Sequence, residues 1–362
     1  MRRKYEATSF QYFVLVAAGI IANGIMTLPR AVAAHAGRDA WLVVLATGIL
    51  MTSAAVLLHK LASYFPDQDP SQWVISLLGP ILGRCWLALL VVKALIFTYL
   101  TAKLYAGILS VRILLFTPTY VVAAAIITLA FLACVSSLRG LARYSETVFL
   151  LKSPLLLLLM APLFLGRSYH LFPVLIETPV SSLAKAVPAA TFSYVGFEIL
   201  WFIYPYLKNK SYALPVISLG FSTLLYTLTT ISATMFFGPE RLQTLLLPTL
   251  SMLSIIQTSF VERIDSIFLW VWVDTVTVTA ATQFYIGARS VQGIFPKFQF
   301  QKICSGMAGL LLVAVVPIRS LPTIYVWADW LGIFDVTLVI GSTLLFLLLI
   351  LVKRHFRRAD HE

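Results

Sequence analysis

The chain has 362 residues, 60% of them hydrophobic and only 12% charged, with a mean hydropathy of +0.91. Little of that length is left for a soluble domain; the composition is that of a polytopic membrane protein, with about ten spans of about 20 apolar residues each. The formal net charge of +12 does not point to nucleic acid, because the basic residues gather in alternate loops and at the two termini rather than along one polar face.

Met1-Arg-Arg-Lys4 is followed by Glu6, Thr8, Ser9 and Gln11 and then by a span, without a short apolar region ending in a cleavage site, so the first span is expected to insert and stay. Span one is predicted from Phe10 to Ala36, the turn His35 to Asp39 follows, and span two runs from Ala40 to Tyr64. Phe65-Pro-Asp-Gln-Asp-Pro70 is a loop by its prolines and acidic residues. A long third span from Ile81 past Tyr105 carries Lys93 and Lys103; span four covers Tyr120 to Val135, and Ser136 to Tyr144 reads as a basic loop. Span five, Ser145 to Leu165, contains Lys152, and a polar connection from Arg167 to Ala184 leads to span six, Lys185 to Leu207. Span seven is predicted over Ala213 to Phe237, with Gly238 to Arg263 a partly helical excursion. Span eight, Ile264 to Ile286, carries Asp274 with Thr275, Thr277, Thr279 and Thr282; span nine is Ile303 to Val316 and span ten Tyr325 to Val352. This order puts Arg2, Arg3, Lys4, Arg139, Arg143, Lys208, Lys210, Arg289, Lys297, Lys302 and the tail Lys353 to Arg358 on one side. Both termini are therefore expected in the cytoplasm, although Arg38, Arg112, Arg167, Arg241 and Arg319 weaken the contrast.

Two spans are interrupted. In the first, Gly19-Ile-Ile-Ala-Asn-Gly-Ile-Met-Thr-Leu-Pro-Arg30 places Asn23, Gly24, Thr27 and Pro29 inside an apolar run, and proline removes a backbone donor there. Opened backbone at membrane depth is tolerated only where protein or a water-filled cavity satisfies it, so the stretch is either a buried polar site or a kink repaired by neighbouring helices. In the sixth, Thr191-Phe-Ser-Tyr-Val-Gly-Phe-Glu198 puts a glycine and a carboxylate near the middle. The two interruptions lie five spans apart, so the second helix should cross opposite to the first, as in an inverted repeat of five helices whose broken members meet at the midplane. The fold expected is one all-α transmembrane domain over residues 1–362, with repeats over about 10–166 and 185–352. Half-helix amino-terminal ends offer N–H groups to an anion and carboxy-terminal ends offer carbonyls to a cation, and a zwitterionic amino acid carries both charges.

At these residues the chain resembles the amino acid-polyamine-organocation transporter superfamily. Gly24-Ile25 followed by Pro29 is similar to the end of its first-helix motif, and Phe192-Ser-Tyr-Val-Gly-Phe-Glu198 is similar to its sixth-helix pattern. Gly24-Ile-Met-Thr-Leu-Pro-Arg30, Ala36-Gly-Arg-Asp-Ala-Trp41 and the basic tail resemble more narrowly the B subunits of bacterial spore germinant receptors. The resemblance implies an amino acid or similar small nutrient, its carboxylate on backbone N–H groups around Asn23, Gly24 and Ile25, flanked by Ala22 and Thr27. Its amino group would meet carbonyls near Phe192, Ser193 and Val195 beside Gly196, with Tyr194 or Phe197 closing over it. Ala22-Asn23 depart from the family's glycine and small residue, which leaves the pose open. Thr98, Tyr99 and Tyr194 are the candidates for reading the ligand side chain.

Ionisable groups inside spans are site hypotheses by default. By resemblance, Lys152 would put its ammonium where some relatives bind sodium, near the first and eighth helices; the alternatives are a structural ion pair or snorkelling. Glu198 and Asp274, with Lys93 as counter-ion for either, would couple ligand or proton or form a structural pair, and Thr275 and its neighbouring threonines line a path or bond their own helix. There is no G-x-S-x-G, H-E-x-x-H or G-x-x-x-x-G-K-[ST] to suggest an enzyme. His35, His59, His170, His355 and His361 sit at or beyond span ends, which argues against a midplane metal site, and Cys85, Cys134 and Cys304 read as small buried hydrophobes. No cofactor is implied beyond a coupling proton. The resemblance implies a nutrient-sensing subunit of the spore inner membrane, with a larger A-type membrane subunit and a C-type lipoprotein as partners; a proton-coupled amino acid transporter acting alone is the alternative.

Overall fold

The structure is a computed structural model, and it describes residues 6–22, 24–160, 162–254, 264–315 and 321–359. Among these residues sixteen α-helices follow in order: α1 (Ser9–Ile20), α2 (Gly24–Ala36), α3 (Ala40–Ser63), α4 (Pro70–Leu78), α5 (Pro80–Arg112), α6 (Thr119–Val135), α7 (Leu138–Leu158), α8 (Pro162–Leu165), α9 (Val180–Thr191), α10 (Ile199–Ile203), α11 (Ala213–Phe237), α12 (Pro239–Thr244), α13 (Pro248–Leu253), α14 (Ile264–Ile294), α15 (Phe300–Ala314) and α16 (Leu321–Ala359). Among the described residues seven helical stretches are long and apolar enough to cross a membrane, one of them holding both α2 and α3; α1, α6 and α15 are shorter apolar helices. Leu82, Leu89 and Val92 of α5 and Leu344, Leu345 and Leu348 of α16 are exposed on the outside of the bundle, an apolar surface suited to lipid.

Local chemistry sets the helix starts. Thr8 accepts from the Gln11 backbone while the Gln11 side chain accepts from the Thr8 N–H, a reciprocal cap for α1. Asp69 caps α4, with Pro70 at its first position. The sequence assigned no helix to residues 70–78, yet α4 forms and buries Trp73 and Val74. The Ser137 side chain accepts from Gly140 N, so α7 begins inside the predicted basic loop and ends at Leu158, short of the Leu165 expected for span five. Helix α14 runs past the expected Ile286 to Ile294, and the excursion after α11 is partly helical in α12 and α13.

Both predicted interruptions are present. Helix one is α1 and α2, parted after Ile20 where Ile21 is extended; helix six is α9, a 3-10 turn Phe192–Tyr194, the non-helical step through Val195 to Glu198, and α10. Pro29 lies within α2, so the chain opens before the proline. The two helices run in opposite directions: Ala7, ahead of α1, pairs with the end of helix six through Ala7 N to Tyr206 O (2.6 Å) and Lys208 N to Ala7 O (3.2 Å), while α2 packs against α9. Helices α3, α7, α11 and α14 supply the walls around them.

Candidate functional site

The breaks of helices one and six touch. A Cβ at Gly24 would lie 2.9 Å from Ser193 Cα and closer still to the Ser193 side chain, so only glycine permits this approach. Gly196 has φ of +116°, and a Cβ there would lie 2.7 Å from the carbonyl oxygen of Gly19, a conformation and a contact that other residues resist.

Opening helix one frees carbonyls, and side chains from surrounding helices take them up. Thr279 Oγ1 donates to Ala18 O at 2.7 Å, Trp272 Nε1 to Ala22 O at 3.2 Å and Thr249 Oγ1 to Ile25 O at 2.7 Å. The Tyr226 hydroxyl stands 3.1 Å from Ile20 O and 2.9 Å from Ser193 O, and so bridges the two breaks. Tyr226 is fully buried, with its ring edge-on to Tyr194 at 5.4 Å. These partners perform the repair that buried, non-helical backbone requires.

A cavity of about 430 Å³ opens beside the breaks. It is lined by Thr27 and Arg30 of α2, Phe192 and Ser193 of the sixth-helix turn, Gln243 of α12 and Asp329 of α16. Arg30 supplies a cation, Asp329 an anion and Ser193 a hydroxyl, within the size range of small-molecule pockets.

The other predicted site residues divide into those near the breaks and those elsewhere. Asn23 lies outside the described residues. Ala22, Gly24 and Ile25 are at the first break, their contacts given above. Val195 and Phe197 are buried, Val195 among Phe97, Leu100 and Leu331. Tyr194 is turned into the core, its hydroxyl 3.3 Å from Thr223 Oγ1. Thr98 bonds back to Ala94 O at 2.8 Å within its own helix, and Tyr99 lines a separate apolar cavity of about 370 Å³ between α5, α15 and α16. Neither lines the cavity at the breaks.

Glu198 is fully buried and in ion contact with Lys93; it also accepts from Gln283 Nε2 at 2.9 Å and from Gly196 N at 3.1 Å. Asp274 has a different partner: it is half-buried and accepts from the Tyr144 hydroxyl at 2.9 Å. The second carboxylate on Lys93 is instead Asp335 of α16, at 2.7 Å. Lys152 is fully buried with no hydrogen-bond partner among the described residues, its ammonium 5.5 Å from the Trp272 ring centroid and 5.9 Å from that of Phe149. Thr275 Oγ1 is likewise buried without a partner. Among the described residues there is no cluster of three or more His, Cys, Asp or Glu placed to hold a metal ion. Cys134 and Cys304 are buried, but Cys85 is exposed on the outer face of α5, because that face is turned to the apolar surround.

Sequence reading missed Tyr226, Trp272, Gln283, Asp329 and Asp335. The two carboxylates had a signal, since each is an ionisable residue inside the tenth span. The aromatics had none, because an isolated Tyr or Trp in an apolar helix is ordinary.

Two broken helices running antiparallel, with a cavity beside their breaks that carries a few polar groups on a mainly apolar wall, define a membrane protein of the secondary-transporter architecture. The crystal structure of MhsT in complex with L-phenylalanine has the same fold, with a TM-score of 0.64 at 14% identity over 95% of this chain and 89% of that one. A family model described as "Spore germination protein" matches residues 6–324, and the chain belongs to that family. Among curated relatives it is 24% identical to spore germination protein YndE of Bacillus subtilis (strain 168) over 318 residues, 86% of each chain. It is 23% identical to spore germination protein A2 of the same organism over 373 aligned residues, 96% of this chain and 97% of the relative. Spore germination protein GerQB of Bacillus cereus is 23% identical over 74% of this chain and 75% of its own.

Proposed function

We propose that this chain is the nutrient-sensing B-type membrane subunit of a germinant receptor, and that it binds an amino acid or similar small nutrient in the cavity beside the breaks of helices one and six. The observation that carries the reading is the cavity itself: about 430 Å³, bounded by the broken segments, with Arg30 and Asp329 of opposite charge on its wall. A zwitterion matches that pairing, its carboxylate toward Arg30 and the α2 amino-terminal N–H groups and its ammonium toward Asp329 and the sixth-helix carbonyls. Ala22, Asn23, Gly24, Ile25, Thr27, Phe192, Ser193, Tyr194, Val195, Gly196, Phe197 and Glu198 form or support this site, and Thr98 and Tyr99 stand behind it. The architecture we assign is one domain of ten spans in two inverted repeats, with both termini cytoplasmic. In the spore inner membrane it would pass the signal to an A-type membrane subunit and a C-type lipoprotein. Ligand shifts the equilibrium between arrangements of the repeats through its differential affinity for them.

A proton-coupled transporter acting alone is the second reading, and Lys152 is the observation that favours it. A buried, unpaired ammonium beside the eighth helix and one residue removed from the first break is suited to exchange a proton or to replace a metal cation. Asp274 and Thr275 would assist from the same helix. The two readings part in proteoliposomes carrying this chain alone, given radiolabelled amino acids with and without an inward proton gradient. Saturable binding without accumulation supports the sensor; gradient-driven accumulation lost in Lys152→Met supports the transporter. Binding unaffected by Arg30→Gln and Asp329→Asn would remove the site assignment from both.

A further inference from the structure

One cluster of ionisable side chains is enclosed entirely by protein. Lys93 of α5, Glu198 at the end of the sixth-helix break and Asp335 of α16 each have zero exposure. One cation thus faces two carboxylates. With all three charged, the cluster would hold a net negative charge sealed from water, which is far more costly than taking up a proton.

The hydrogen bonds distinguish the two acids. Glu198 is held as an anion by Lys93, Gln283 Nε2 and the Gly196 N–H. Asp335 is in ion contact with Lys93 through Oδ1 at 2.7 Å, but among the described residues neither of its buried oxygens has a hydrogen-bond partner of good geometry, and Gln283 Oε1 of α14 is likewise unpartnered. Of the elements packed against α16, α5 brings Lys93 to Asp335 and also carries Arg84, Cys85, Tyr99, Lys103, Tyr105 and Arg112; α3 carries His59 and Lys60, α9 carries Lys185 and the sixth-helix turn carries Tyr194.

We propose that Asp335 is a proton-binding site: its carboxyl holds an exchangeable proton that brings the Lys93–Glu198–Asp335 cluster to neutrality. The proton comes from water when the bundle opens and returns by the same route, and no other group changes its charge. Its loss leaves a second carboxylate competing with Glu198 for Lys93. Because Glu198 also holds the Gly196 N–H, and Gly196 lies against Gly19, that competition acts on both breaks. The inference does not depend on which ligand occupies the cavity.

The test is infrared spectroscopy of the purified full chain in detergent near neutral pH, unlabelled and with the carboxyl of either aspartate or glutamate isotope-labelled. The expected result is a protonated-carboxyl band that shifts in deuterated water, moves with the aspartate label and not the glutamate label, and is lost in Asp335→Asn. Asp335→Glu, which retains the acid, should transfer the band to the glutamate label and covers the case in which Asp335→Asn does not fold. No protonated-carboxyl band, a wild-type band that moves only with labelled glutamate, or one that survives in folded Asp335→Asn or keeps the aspartate label in Asp335→Glu would overturn the proposal.

Discussion

Trp272 donates its indole N–H to the carbonyl of Ala22 at 3.2 Å, while the face of the same ring lies 5.5 Å from the Lys152 ammonium. One side chain of α14 therefore serves both the opened backbone of helix one and the unpaired lysine of α7. Trp272→Phe keeps an aromatic face and removes the donor. It leaves the buried Ala22 carbonyl without its partner and should cost about 1–3 kcal/mol, read as a lowered midpoint in thermal unfolding of the detergent-solubilised chain. Trp272→Leu also removes the ring beneath the ammonium, a contact worth about 2 kcal/mol when desolvated, and should be the less stable of the two. Equal stability of both variants with wild type would mean that this contact does not hold the break.

Tyr226→Phe separates packing from hydrogen bonding at the second wall. The ring contact with Tyr194 at 5.4 Å survives, but the hydroxyl within reach of Ile20 O and Ser193 O is gone. Loss of about 1–3 kcal/mol is expected, and the effect should be local. Amide hydrogen exchange should quicken around residues 20–22 and 193–196 while the middle of α11 keeps its protection. Uniformly faster exchange across the chain would instead make Tyr226 a general core residue.

Much of this was legible because membrane spans and their breaks are written in local chemistry. Twenty-odd apolar residues between charged turns locate α3 and α11, and glycines beside polar residues inside an apolar run locate the openings at Gly24 and Gly196. Two helices interrupted five spans apart imply opposite directions, and the start of α1 lies at the end of helix six while α2 packs on α9. The partners of the opened backbone were not legible, because Thr249, Trp272 and Thr279 reach it from more than 200 positions away in the chain. By sequence Lys93 was a counter-ion for either Glu198 or Asp274; it meets Glu198, while Asp274 pairs with Tyr144. Only the packing of α16 on α5 puts Asp335 on Lys93 instead.

The glycines at the breaks predict a graded series. Gly24→Ala would set a Cβ 2.9 Å from Ser193 Cα, a backbone collision that a rotamer change cannot relieve. Ser193→Gly in the same chain clears the side-chain overlap and leaves the backbone collision, so it should restore part of the loss. Gly196→Ala adds an unfavourable φ to a 2.7 Å approach on Gly19 O, and both costs fall on one residue. Folded yield in the membrane should therefore fall in the order wild type, Gly24→Ala with Ser193→Gly, Gly24→Ala, Gly196→Ala. Fluorescence-detected size exclusion of tagged chains measures it, and normal yield for Gly196→Ala would contradict the close crossing.

Cys134 at the end of α6 and Cys304 near the start of α15 bring their sulfurs to 3.9 Å, both buried, while Cys85 faces outward on α5. A disulfide needs the sulfurs at about 2.05 Å, a closure that small side-chain rotations and a slight approach of the two helices would supply. Mild oxidation of the purified chain should therefore consume two thiols and leave one, and the survivor should be Cys85. Cys134→Ser or Cys304→Ser should each prevent the loss, and because the bridge would link residues 170 apart, it should stabilise the folded chain by about 2–4 kcal/mol. Three reactive thiols after oxidation, with the chain still folded, would show that α6 and α15 do not pack in this register. Since α15 reaches the bundle mainly through α6 and α14, the same result would release the ninth helix from its assigned place.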